Sequence, residues 1–453
     1  MSLTIRRPRL LHITWPSFAE LVLGFGVGLL GLWLAARTSD NAAAAFALSN
    51  HLLGAFVLLF RIISMGVSVV ITQNLGAGNR FDADRTARAA LGATSWMAVF
   101  TAVMVFFGAE RFLSGLSAPA PVLQLAKPYL QMLALALALD AYNATFASVM
   151  RAHLRTRDTM LNILAMHSLH LLLSFPLMQS MGLMGFAVAM ALSRAFGLAW
   201  HILLWRWRLD LIPHAHDWWA LHRKILAPVF HIGLPGAAEN MAYRMAFLVS
   251  VTVVAGLGAT QLATHSYTLQ ITNLIVLFTA AIGFGCEILI GHLIGAGQLH
   301  DANRLLRKCL LWGLSVSCCI ALIAAMTAPW TMHLFTHHAQ IIASATTLLW
   351  LNVILEPGRT CNIVIIDALR ATGDARFPVI AGAASMLLIL AGGSWLLGVH
   401  FKLGLVGVWI AYAADEWVRG VIMATRWLRF GWLSSAKKTR RRVMQQREII
   451  SVP

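Results

Sequence analysis

Charged residues are scarce in this chain, and acids are the scarcest: Asp and Glu number 18 against 35 Lys and Arg, and the four types make up 12% of 453 residues. A water-soluble domain carries about 25%. With 59% hydrophobic residues and a mean hydropathy of +0.72, the chain cannot hide its apolar surface in a globule and belongs in a bilayer. Cysteine is sparse too. Cys286, Cys309, Cys318, Cys319 and Cys361 lie in or beside apolar runs with no CxxC pair, which reads as small buried hydrophobes and not as a disulfide framework. There is no HExxH and no P-loop, so neither a zinc hydrolase nor an ATP-driven pump is expected. The start, MSLTIRRPRLLHITWP, reads as a basic stub and not as a cleavable signal peptide.

What is abundant is the long apolar run. A helix needs ~20 mostly apolar residues to cross the hydrocarbon core. Twelve such spans are predicted, at 13–36, 46–75, 89–109, 122–150, 159–178, 184–205, 231–257, 265–294, 309–330, 339–369, 377–399 and 404–427. The bases choose the side. Alternate loops hold clusters such as Arg80, Arg85 and Arg88, or Arg304, Arg307 and Lys308, and the tail adds Lys437, Lys438 and Arg440 to Arg442. The opposite loops hold only Arg37, Arg111, Lys127 and Lys402. Positive residues mark the cytoplasmic side, so both termini are expected in the cytoplasm of a bacterial-type inner membrane. The net charge of +17 is then a topology signal with affinity for anionic membrane lipids, and no nucleic-acid partner is expected.

The chain also repeats itself. QNLGAGNRFDADR, from Gln73 to Arg85, returns as HLIGAGQLHDANR, from His292 to Arg304, an offset of 219 residues. At the same offset Pro16 and Glu20 return as Pro235 and Glu239, and Asn143, Arg151 and Arg157 return as Asn362, Arg370 and Arg376. After a shift of three, GLMG at Gly182 answers GLVG at Gly404. The expected fold class is an all-α polytopic membrane protein: twelve transmembrane helices in two pseudo-symmetric six-helix bundles. Its parts are an N-lobe at 1–205, a cytoplasmic linker at 206–230, a C-lobe at 231–428 and a basic cytoplasmic tail at 429–453. Six spans per half make the halves parallel, and rocking of one against the other gives alternating access. Gly76, Gly78, Gly295 and Gly297 either terminate helices through the left-handed conformation or flex as gate loops.

The paired P-x-x-x-E openings, the paired GAG loops and ALRATGDARFP at Ala368 to Pro378 together resemble the MATE (multidrug and toxic compound extrusion) transporters over about residues 13–428. The resemblance implies twelve helices in two lobes and drug efflux driven by a proton or sodium gradient. Many relatives carry an Asp in the middle of helix 1, whereas LGFGVGLLGLWLA has none, and Arg359 stands where some sodium-coupled relatives have an acid in helix 10. Coupling is therefore expected to use Glu239, Glu356 or Asp140.

A charge at the bilayer centre costs ~2.5–3.5 kcal/mol on insertion scales, which makes every intramembrane charge a candidate. The acids singled out are Glu20 and Asp140, with Asp40 at the rim, then Glu239, Glu287, Glu356 and Asp367; the bases are Arg61, Arg194, Arg244, Arg359 and Arg419. Glu356 and Arg359 share a helix face across Pro357 and can pair, as a coupling site or as a lock. Asp367 is expected to pair with Arg370 at a loop end. Glu239, one turn after Pro235, can exchange a proton for a drug cation or bond to neighbouring helices, and Glu20 the same. His167 and His170 share a face and read as polar packing, with no metal site expected; Trp15, Trp218 and Trp219 read as an interfacial belt.

The expected function is secondary active antiport: export of cationic amphipathic compounds in exchange for protons or sodium ions, by a monomer with no cofactor beyond the coupling ion. The alternative is a flippase for a lipid-linked precursor, with Arg61, Arg194 and Arg244 lining a basic cleft. No cluster of nucleophile, base or metal ligands suggests an enzyme.

Overall fold

A computed structural model describes residues 10–116 and 118–450, and no strand occurs among them. The apolar runs fold as twelve long helices. In the first half these are α1 (Leu10–Thr38), α2 (Asp40–Gly76), α3 (Arg80–Gly115), α4 (Ala120–Ala152), α5 (Thr156–Met181) and α6 (Leu183–Leu209). In the second they are α7 (Arg223–Gly256), α8 (Ala259–Gly295), α9 (Leu299–Thr331), α10 (Ala339–Thr372), α11 (Arg376–His400) and α12 (Gly404–Leu428). Among the described residues, ten are long and apolar enough to cross a membrane by length and composition. The two left over, α7 and α12, are polar in the middle: α7 carries Glu239, Asn240 and Arg244, and α12 carries Asp415, Glu416 and Arg419. Eleven of the twelve cover their predicted spans, α7 stopping one residue short of 257, and most overrun them at both ends.

The chain divides into two compact units, Met1–Leu234 and Pro235–Pro453. The first packs around Phe46, Tyr129, Leu133 and Phe186, with Phe46 and Phe186 edge to face at 5.3 Å. The second packs around Leu355, Leu390, Trp409 and Tyr412. Burying such side chains excludes lipid and leaves close-packed interiors.

The repeat extends to the backbone. Gly78 (φ +74°) and Gly297 (φ +76°) occupy the same left-handed position after α2 and α8. In each case the following amide reaches back into the helix, Asn79 N to Asn74 O at 2.9 Å and Gln298 N to Leu293 O at 2.8 Å. That is helix termination of the Schellman kind, which only glycine adopts without steric cost. Gly76 and Gly295 are the last helical residues before these caps. Gly373 (φ +90°) ends α10 in the same way, and its repeat partner Leu154 is also left-handed (φ +62°) although it is not glycine.

Two segments outside the expected spans are structured as well. The stretch expected as a cytoplasmic linker folds back on the first unit: the Gly92 helix face abuts the Ala220 backbone, Trp96 Nε1 donates to Trp219 O at 3.0 Å, and Trp218 packs edge-on against Tyr142 at 5.4 Å. α7 then starts at Arg223, inside that stretch. Trp218 therefore packs against protein, whereas Trp15 and Trp219, 63% and 57% exposed, are available to an interface. The basic tail is also ordered, as a further helix α13 (Leu433–Ile450).

Candidate functional site

In the first unit, α4 and α6 each bring one charge to the same place. Arg194 Nε lies 2.6 Å from Asp140 Oδ1, with the arginine side chain 9% exposed and the aspartate 34%. Both line a cavity of about 650 Å³ with His167 and Asn50, walled by Val27, Phe46, Leu137, Phe186 and Met190. The ion pair, made through Nε, does not use up the guanidinium: among the described residues no hydrogen-bond partner is aligned with Arg194 Nη1, nor with His167 Nδ1. An apolar, aromatic chamber with one accessible carboxylate and spare buried donors is the usual form of a small-molecule site. His170 sits beside it, edge-on to Phe186 at 4.6 Å.

In the second unit α10 and α12 build a larger charge cluster. Arg359 Nη1 lies 2.7 Å from Glu356 Oε1, so the expected pair across Pro357 is formed within an unbroken α10. Arg359 Nε also faces Glu416 Oε1 at 3.5 Å. Arg419 Nη2 lies 3.1 Å from Glu416 Oε1 and 2.6 Å from Asp415 Oδ2. Neutral groups complete the shell: Asn362 Nδ2 donates to Glu416 Oε2 at 2.9 Å, and Ser385 Oγ to Asp415 Oδ1 at 2.6 Å. Glu356, Asp415, Glu416 and Arg419 are all buried. Three carboxylates face two guanidiniums, so the cluster holds one acid in excess.

Asp415 and Glu416 were not among the acids singled out from the sequence, although both lie within the last span. The signal was present: two adjacent acids in AYAADEWVRG, three and four residues before Arg419, set a helical i,i+3 and i,i+4 pattern.

Glu20 and Glu239 turn out to belong to a repeated pair. Glu20 Oε2 accepts from Arg151 Nη1 at 2.8 Å. The repeat partners are Glu239 and Arg370, and here Arg370 is held by Asp367 at 2.7 Å while Glu239 and Glu287 both lie within its electrostatic reach. Asp367 thus makes the pair expected of it. Glu239 is 8% exposed, and its Oε2 has no hydrogen-bond partner. It also borders the α12 cluster, since a Cβ on Gly382 would sit 3.9 Å from Glu239 Cγ and 4.0 Å from Arg419 Cδ. Arg244 is exposed and joins no ion pair among the described residues. No group of three or more His, Cys, Asp or Glu side chains among the described residues is arranged to hold a metal ion.

The MatE family model matches residues 16–176 and again residues 235–395. The chain belongs to the MATE family. The two matches start 219 residues apart, the offset of the internal repeat. This MATE protein is 33% identical over 433 residues to an uncharacterized transporter, YisQ of Bacillus subtilis, covering 94% of each chain. It is 24% identical over 459 residues to a probable multidrug resistance protein, NorM of Thermotoga maritima, covering 97% of this chain and 96% of that one. Its fold matches a crystal structure of MATE in the bent conformation with a TM-score of 0.85 at 17% identity, over 95% and 96% of the two chains. A MOP superfamily transporter from Pyrococcus furiosus matches with a TM-score of 0.84 at 17% identity, over 94% and 96%. The family consists of membrane transporters for small molecules, which places this chain among transporters.

Proposed function

We propose that this MATE protein is a secondary active antiporter that exports cationic amphipathic compounds in exchange for protons or sodium ions by alternating access. The observation that carries the proposal is the N-lobe cavity, apolar and aromatic on most of its wall, with the partly exposed carboxylate of Asp140 on it. An amphipathic cation places its apolar body against Phe46, Phe186 and Met190 and its charge near Asp140. A drug cation and a coupling cation then compete with each other, and with Arg194, for one carboxylate, which is antiport in electrostatic terms.

The α10–α12 cluster supplies a second place for coupling. Its one excess carboxylate is balanced by a proton or a sodium ion, and Glu239 connects it to the Arg370 group. The exchange needs no bound cofactor, and the exporter works as a monomer of the inner membrane with both termini in the cytoplasm. The names of the bacterial relatives, multidrug resistance proteins in several cases, support export over import. Flipping of an anionic lipid-linked precursor calls for an uncompensated basic cleft, and Arg194 is held by Asp140, which favours the export reading. Asp140→Asn separates them: ethidium efflux from cells is expected to fall to background for an antiporter using this carboxylate, and unimpaired efflux would remove Asp140 from the role.

A further inference from the structure

α13 presents two faces that the transport cycle does not explain. One is a stripe buried against its own lobe: Trp432, Ala436, Thr439 and Val443 are 1%, 0%, 7% and 0% exposed, at the spacing of one helix face. Trp432 stacks on Trp427 at 4.4 Å, and Trp427 Nε1 donates to Asn303 Oδ1 on α9 at 2.9 Å. Thr439 Oγ1 donates to Thr372 O at 3.2 Å, beside the left-handed Gly373. The Arg440 guanidinium lies over Gly297, close enough that a Cβ there would meet Nε at 2.7 Å. The helix is thus seated on the α8–α9 and α10–α11 loops.

The opposite face is basic, and no ion-pair partner for it occurs among the described residues. Lys437, Lys438 and Arg441 are exposed on it, together with Met444. From Leu433 to Gln445 the helix has five bases and no acid. Its position says what covers it. α13 begins five residues after the exposed Leu428, which ends the last membrane helix, with the exposed Phe430 in the turn between them. Apolar side chains in the turn and bases just beyond it match the layering of a bilayer interface, where the acyl boundary gives way to phosphate.

We propose that the Lys437–Lys438–Arg441 face of α13 is a binding surface for the phosphate head groups of anionic phospholipids in the leaflet that α12 leaves. Each base near an anionic surface adds a favourable, salt-screened interaction. Binding there presses α13 onto the two loops it already touches.

Amide hydrogen exchange tests this on the full chain in nanodiscs, independently of any transport assay. Amides 433–445 are expected to exchange about threefold or more slowly in phosphatidylcholine with added phosphatidylglycerol than in phosphatidylcholine alone. That gain is expected to vanish in a Lys437→Gln/Lys438→Gln/Arg441→Gln variant, whose buried stripe is intact, and in about 1 M salt, where the Debye length is ~3 Å. Equal exchange in the two lipids, or the same gain in the variant, overturns the proposal. Protection by a short oligonucleotide but not by phosphatidylglycerol overturns it as well, by assigning the face to nucleic acid.

Discussion

Arg359 occupies in the second repeat the position that Asp140 occupies in the first, and each is ion-paired across the equivalent helix pair. Asp140 on α4 meets Arg194 on α6; Arg359 on α10 meets Glu416 on α12, and Glu416 answers Arg194 at the shift of three that aligns GLMG with GLVG. The two halves therefore keep one ion pair at one place and reverse its polarity. The second half then adds Glu356, Asp415 and Arg419 around it. Duplication preserved the helix contact while the charges diverged, leaving the first unit with a neutral pair beside a cavity and the second with an acid-rich cluster.

Asp140→Asn is expected to strand the Arg194 charge. Breaking a buried pair costs ~3–5 kcal/mol, and because Asp140 is partly exposed the expected loss is about 2 kcal/mol. Thermal unfolding of detergent-purified protein checks it, and Asp140→Asn/Arg194→Gln is expected to recover part of the loss. A double variant no more stable than the single one would contradict the pairing.

In the second cluster Arg359→Gln leaves Glu356 and Glu416 without their shared base. It is expected to lower stability by more than the Glu356→Gln/Arg359→Gln double variant does, with a coupling energy of about 1 kcal/mol or more. Additive losses in a double-mutant cycle would show that the two side chains act separately.

The twelve helices were legible because each is a run of apolar residues, and the caps because glycine is the residue that accepts φ near +75°. The Glu356–Arg359 pair was legible because i,i+3 neighbours on a helix must meet. Asp140 and Arg194 were each legible as buried charges, but their pairing was not: it is set by the packing of α4 against α6, which no local pattern encodes. Glu416 was legible through its i,i+3 spacing to Arg419, but its contacts with Arg359 and Asn362 on α10 were not. The fold-back of residues 210–220 was hidden because a tryptophan such as Trp218 looks the same in sequence whether it faces lipid or protein. The α13 stripe was hidden by the bases that interrupt it.

Gly78 and Gly373 separate backbone strain from crowding. Both are left-handed, but a Cβ on Gly78 has open space while one on Gly373 meets Thr439 Oγ1 at 2.6 Å. Gly78→Ala is expected to cost about 1 kcal/mol from strain alone. Gly373→Ala is expected to cost roughly twice that, because the Thr439 contact must open as well. Equal melting temperatures for the two variants would contradict this.

Reporter fusions test the topology. A cytoplasmic reporter placed after residue 80 or residue 300 is expected to be active, and a periplasmic one silent. A periplasmic signal at either site would break the parallel arrangement of the two halves.

The central claim, ion-coupled export, is tested most directly with purified protein in liposomes. Ethidium flux is followed under an imposed proton gradient and then under a sodium gradient in its place. Flux is expected under one of the two gradients, collapsing when that gradient is dissipated and lost in Asp140→Asn. No flux under either gradient, from protein shown to be folded and inserted, would contradict it.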